Sequence, residues 1–122
     1  MFGCKLILIK EIQMKLMTKA IEKAMPAIYA TDGVPVADKE VVAKFFTPWA
    51  NWTWYVFEGD KRDDGDYEFF GVVEGLEIEM GYFTLNELMK PVGPGGLRVE
   101  RDRHFEGAVP EKIAAKFAPA ER

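Results

Sequence analysis

Glu100, Asp102 and His104 occupy alternate positions in Arg98-Val99-Glu100-Arg101-Asp102-Arg103-His104. In an extended strand that spacing puts them on one side with Arg98, while Arg101 and Arg103 face the other way. Two carboxylates beside an imidazole have the makings of an acid–base or metal-assisted hydrolytic site, suited to a phosphodiester. Alternating opposite charges on a strand are also the pattern of cross-strand ion pairs. The chain has one histidine, one cysteine (Cys4) and no serine. A serine nucleophile is therefore excluded, and cysteine or histidine zinc cages nearly so. With no second histidine, Glu100, Asp102 and His104 are kept as the alternative, enzymatic reading, and Cys4 reads as a packing residue.

A second constellation is aromatic. Phe45, Phe46, Trp49, Trp52, Trp54, Tyr55 and Phe57 lie close together, interleaved with Lys44, Thr47, Asn51 and Thr53. Flat rings offer large contact surfaces for bases, sugars or other planar groups. Aromatics on neighbouring strands usually form core, and alternation puts Trp52 and Trp54 on one face and Tyr55 and Phe57 on the other. One set is core, which leaves Trp52 and Trp54 as a candidate groove.

The third constellation is acidic. Glu58, Asp60, Asp63, Asp64, Asp66, Glu68, Glu74, Glu77 and Glu79 stand against only Lys61 and Arg62 between positions 58 and 79. That segment is more negative than the whole chain, whose net charge is −4, so the remainder is net positive. A concentrated acidic face can attract a basic, nucleic-acid-binding protein or imitate phosphates, although a solvated hairpin that keeps sheet edges unpaired has the same composition. Asp60, Asp63, Asp64, Asp66, Glu68, Glu77 and Glu79, with Trp52 and Trp54, are the candidate binding residues. A calcium loop over Asp60-Lys61-Arg62-Asp63-Asp64-Gly65-Asp66 fails, because Arg62 stands at the third ligand position and Gly71 at the twelfth. Gly93-Pro94-Gly95-Gly96 lacks the GxxxxGK[ST] order of a phosphate loop. No metal and no cofactor is implied.

The 122 residues and pI near 5.1 suit one domain with one core, and the acidic balance speaks against direct nucleic-acid binding that neutralises many phosphates. The longest apolar run near the start, Leu6 to Ile9, is shorter than the roughly 7–15 residues of a signal h-region or the roughly 18 of a membrane helix. A lone cysteine agrees with a reducing compartment. The expectation is a cytoplasmic protein that does not enter a membrane.

Thr18 caps a helix from Lys19 to Met25, stopped by Pro26, and Tyr29 to Asp38 reads as loop. Val41 to Phe46 and Asn51 to Glu58 read as strands, Gly59 to Asp66 as a polar connection, and Tyr67 to Glu74 as the returning strand. Leu76, Ile78, Met80 and Tyr82 alternate with Glu77, Glu79 and Gly81, the clearest period-two pattern in the chain. Thr84-Leu85-Asn86-Glu87 is a capping box opening a helix of about two turns before Pro91. Leu97 to Phe105 reads as a strand and Pro110 to Phe117 as a last helix. The sum is an α+β single domain: an antiparallel meander sheet with short peripheral helices.

Met14-Lys15-Leu16-Met17-Thr18, Ala43-Lys44-Phe45-Phe46-Thr47-Pro48, Trp52-Thr53-Trp54-Tyr55, Phe69-Phe70-Gly71-Val72-Val73, Glu79-Met80-Gly81-Tyr82-Phe83 and Glu100-Arg101-Asp102 occur in this order. Over about residues 14–106 the chain resembles a bacterial family of small proteins of unknown function carried on plasmids and integrative or conjugative elements. The resemblance implies a habitat and assigns no catalytic residue. Residues 1–13 fall outside it and form an N-terminal extension to a domain over 14–122. Lys10-Glu11 can be encoded by AAGGAG, a ribosome-binding sequence, which makes Met14 the expected native start. The functional expectation is an accessory protein of a mobile element, a non-enzymatic module that binds a basic protein through its acidic face. A host defence or DNA-handling protein is the expected class of target.

Overall fold

The computed structural model describes residues 11–13 and 15–118. Cys4, Met14 and positions 1–10 of the expected extension lie outside the described residues.

A long hairpin organises the fold. Strand β2 (Thr53–Lys61) pairs antiparallel with β3 (Tyr67–Glu74), and β3 pairs on its other side with β4 (Ile78–Thr84). Strand β1 (Ala43–Phe46) lies along β2, and β5 (Glu100–Arg101) along β1. The order β4-β3-β2-β1-β5 makes one five-stranded antiparallel sheet. Strands β1 to β4 form a meander and β5 crosses back to the far edge beside β1; with the short helices around the sheet, this is the α+β class expected from the sequence.

Both sheet faces are covered. On the first, Phe45, Val56, Phe69 and Phe83 pack with Leu16, Met17, Leu85, Leu88 and Val99. These come from helical residues before Met17, the helix α2 (Leu85–Met89) and the segment before β5. Helix α1 (Lys19–Ala24) adds Ile21 at the margin. On the second face, Tyr55, Phe57 and Val72 pack against Val41 and against Ile113 of α3 (Glu111–Lys116). The caps form as their sequences require: Thr18 Oγ1 accepts from the Ile21 amide at 3.1 Å and Thr84 Oγ1 from the Glu87 amide at 3.2 Å. Among the described residues no helix is long and apolar enough to cross a membrane.

Three expectations are corrected. The connection from Gly59 to Asp66 is shorter than expected, because β2 continues through Gly59↔Phe69, Asp60↔Glu68 and Lys61↔Tyr67 before a turn at Arg62–Asp66. Ladder bonds are made by backbone and tolerate polar side chains, and Gly59 has no Cβ to strike the Met25 sulfur, which would lie 2.7 Å away. Leu76 leaves the inner face of its expected strand, since it sits in the β3–β4 turn at 96% exposure. The strand expected over Leu97 to Phe105 shrinks to the two residues of β5. It pairs only with Phe45 and Phe46 of β1, and just past β5 the chain turns, the His104 amide donating to Asp102 Oδ1 at 3.0 Å.

A bulge between Val56 and Glu58 decides what the second face carries. Phe57 packs in the second core, and Glu58, one residue on, stands opposite Phe70 at the margin of that same core. The extra residue breaks the alternation, so two consecutive side chains point the same way.

Candidate functional site

The acidic residues do not form one continuous face, because β3 separates them. Its eight residues span roughly 24 Å at about 3.4 Å per residue. At the β2–β3 turn, Asp60, Asp63 and Asp64 are exposed, and Glu68 is paired with Arg62 at 2.9 Å. Asp60 Oδ2 accepts from the Ile28 amide at 3.3 Å and Asp64 Oδ1 from the Asp66 amide at 2.9 Å.

Asp66 is buried. Its Oδ1 accepts from the Tyr67 amide at 2.8 Å and from the Asn86 amide at 3.0 Å, which ties the turn to the start of α2. Asp66→Ala strands two amides and is expected to cost about 1–3 kcal/mol. Urea denaturation tests this, and a midpoint equal to that of the wild type would show that the tie contributes nothing.

The other acids lie at the β3–β4 turn, where they meet the tryptophans. Trp52 and Trp54 stack with centroids 6.2 Å apart and planes inclined by 27°. Trp54 is partly buried against the first core, whereas Trp52 is 41% exposed. Gly75 permits this placement, since a Cβ there would sit 2.3 Å from the Trp52 ring. Trp52, Val73, Leu76, Glu77 and Glu79 line a hollow of about 330 Å3. Both carboxylates are exposed. The structure thus brings together four of the candidate binding residues, Trp52, Trp54, Glu77 and Glu79, and leaves the others at the far end of the hairpin. An aromatic face beside carboxylates attracts cations through the ring quadrupole and through charge.

Glu100, Asp102 and His104 do not converge on one cavity. Asp102 pairs with Lys44 at 3.4 Å and lines a hollow of about 500 Å3 with Lys44, Glu74 and Lys112. The His104 amide and Lys44 hold the Asp102 carboxyl below its ordinary value against the opposing effect of burial. Lys112 pairs with Glu74 at 2.5 Å, and the Tyr55 hydroxyl donates to Glu74 at 3.4 Å. Burial first and Glu74 second push the Tyr55 phenol up to about 12, so it keeps its proton and offers no base near neutral pH. Glu100 instead lines a separate hollow, and His104 is exposed and lines neither. Among the described residues no group of three histidine, cysteine, aspartate or glutamate side chains is placed to hold a metal ion.

That separate hollow has a basic lining that the sequence reading did not assemble. It measures about 510 Å3 and brings Lys15, Arg98, Arg101 and Arg103 around Glu100 at the β5 edge of the sheet. Strict alternation would have put Arg98 opposite Arg101, and a two-residue strand removes that alternation. The available signal was Gly95-Gly96 followed by three arginines within six positions. Both glycines have positive φ, +67° and +81°, and re-aim the chain just before Arg98.

Comparison with curated proteins finds no match, and comparison with solved structures finds none either. The model of one family, described as a protein of unknown function (DUF2958), matches residues 7–121 and so reaches beyond the 14–106 on which the resemblance rests. That match spans nearly the whole chain, from before the first described helical residues to past α3, and the chain belongs to this family.

Proposed function

We propose that this protein is a non-enzymatic binding module that captures a basic segment of another protein at the Trp52 end of its sheet. The observation that carries this reading is the hollow lined by Trp52, Val73, Leu76, Glu77 and Glu79, where exposed apolar surface and two unburied carboxylates adjoin. An arginine or lysine fits both parts, its methylene stem against Leu76 and Trp52 and its charged end at the carboxylates. Asp60, Asp63 and Asp64, together with the ion-paired Glu68, extend the negative field at the far end of the hairpin and steer a basic partner toward the molecule. Asp66 acts beneath them by holding the turn.

The resemblance to a family carried on mobile elements supports an accessory role in the cytoplasm of a bacterial host. It also supports a host defence or DNA-handling protein as the partner class, since such proteins carry basic surfaces for phosphates. The step from habitat to partner is one of association.

The test is a pull-down from nuclease-treated host lysate. The wild-type bait retains a basic protein that is released at about 0.5 M salt, where screening is nearly complete beyond contact distance. Trp52→Ala and the double variant Glu77→Lys/Glu79→Lys retain about tenfold less, and Asp63→Lys/Asp64→Lys binds more slowly. Asp66 is left intact because its replacement disturbs the turn. Equal retention by the Glu77→Lys/Glu79→Lys bait, with its circular dichroism unchanged, would sink the reading.

A further inference from the structure

We propose that the hollow at the β5 edge is a binding site for a small phosphate-bearing ligand, a nucleotide in chemical class. Its volume of about 510 Å3 is that of a small-molecule site. Lys15, Arg98, Arg101 and Arg103 surround one carboxylate, Glu100, in a molecule whose overall charge is −4. Four cations elsewhere are paired with acids: Lys39 with Glu58, Lys44 with Asp102, Arg62 with Glu68 and Lys112 with Glu74. Among the described residues no carboxylate lies within ion-pair distance of these three arginines.

Two of the guanidinium groups are held by main-chain carbonyls instead. Arg98 Nη1 donates to the Met89 oxygen at 2.9 Å, and Arg101 Nε donates to the Lys15 oxygen at 3.1 Å. Each bond uses one of five N–H donors and limits the rotamers of the side chain, so the remaining donors meet a phosphate at a reduced entropic cost. Leu97, 42% exposed, and the half-buried Ile12 offer an apolar surface to the body of the ligand. A compact ligand responds to the local positive potential. An extended polyanion would also have to lie along a molecule that is acidic overall, which opposes it.

Isothermal titration of the full chain with ATP, without divalent metal and at low salt, tests the site. One ATP binds per chain, Arg103→Gln weakens it about tenfold, and Glu100→Gln tightens it several-fold by removing the one opposing charge. Both residues are exposed, so the melting temperature without ATP stays unchanged in each variant. Absence of binding at millimolar ATP would overturn the proposal, as would equal affinity in the wild type and both variants. Tight binding of a 20-nucleotide single strand that ATP does not displace would overturn it in favour of polymeric nucleic acid.

Discussion

Gly71→Ala is expected to lose at least about 3 kcal/mol of stability, the upper end of the usual cost of overpacking. A Cβ at this position would sit 1.8 Å from the Tyr55 carbonyl oxygen, 2.9 Å from its carbon and 3.1 Å from the Val56 Cα. All three are backbone atoms of the paired strand, so no side chain can swing aside. The only relief is to part β2 from β3 beside the bulge, where Val56 stands opposite Gly71. That pairing is the centre of the sheet and joins both cores. For a domain of this size the loss corresponds to a fall in melting temperature of roughly 10 °C or more. Gly81 is the control. It pairs with Gly71 on the neighbouring strand, yet a Cβ there meets nothing within 4 Å. Gly81→Ala should melt close to the wild type. Thermal melts by circular dichroism decide the matter, and two variants melting together would refute the steric account.

Glu58→Ala is expected to be similarly damaging, at about 3–5 kcal/mol, because it breaks a buried charge pair by removing one member. Glu58 is 2% exposed. Its carboxylate accepts from the Tyr29 amide at 2.8 Å, the Thr31 amide at 3.0 Å and the Thr31 hydroxyl, with the Lys39 ammonium 3.8 Å away. Without it, Lys39 is left buried without a counter-ion. Tyr29 is also released from φ +75°, a left-handed conformation uncommon for a bulky residue. Glu58→Gln keeps the shape and one acceptor and should cost less. Replacing both partners, in Glu58→Leu/Lys39→Met, should recover much of the loss, since no charge is then stranded.

The pair also predicts an acid response. Burial raises the Glu58 pKa, but the Thr31 hydroxyl, the Tyr29 and Thr31 amides and Lys39 lower it further, so the folded value lies below the ordinary 4.5. A depressed folded pKa contributes stability that is complete above about 4.5 and is lost as pH falls through the folded value. Urea denaturation between pH 3 and 6 should show this loss in the wild type and a flatter profile in Glu58→Gln. Parallel profiles would mean that Glu58 is not the group responsible.

The elements readable in the sequence were those set by neighbours in the chain. Thr18 and Thr84 cap helices because the amides they accept from are three residues away, and β3 has the bounds that its pattern predicts, Tyr67–Glu74. The tryptophan pair on one face and Tyr55 with Phe57 on the other also followed from alternation alone. The α+β class rests on such local signals, and so does the excess of acid between positions 58 and 79.

The site depended on contacts between residues far apart in sequence. One bulged residue, Phe57, turns Glu58 inward to Lys39 and the Tyr29 loop. Asp66, expected at a binding surface, became a tie to Asn86. β5 leaves its pairing with β1 after Arg101, where the chain turns at Asp102, and this separates Glu100 from Asp102 and His104 and gathers Arg98, Arg101 and Arg103 into one hollow. Side-chain direction follows local pattern only while the ladder runs unbroken. Where the ladder bulges or stops is set by the partner strand and the packing against it, and that decided which charges in this protein stand together.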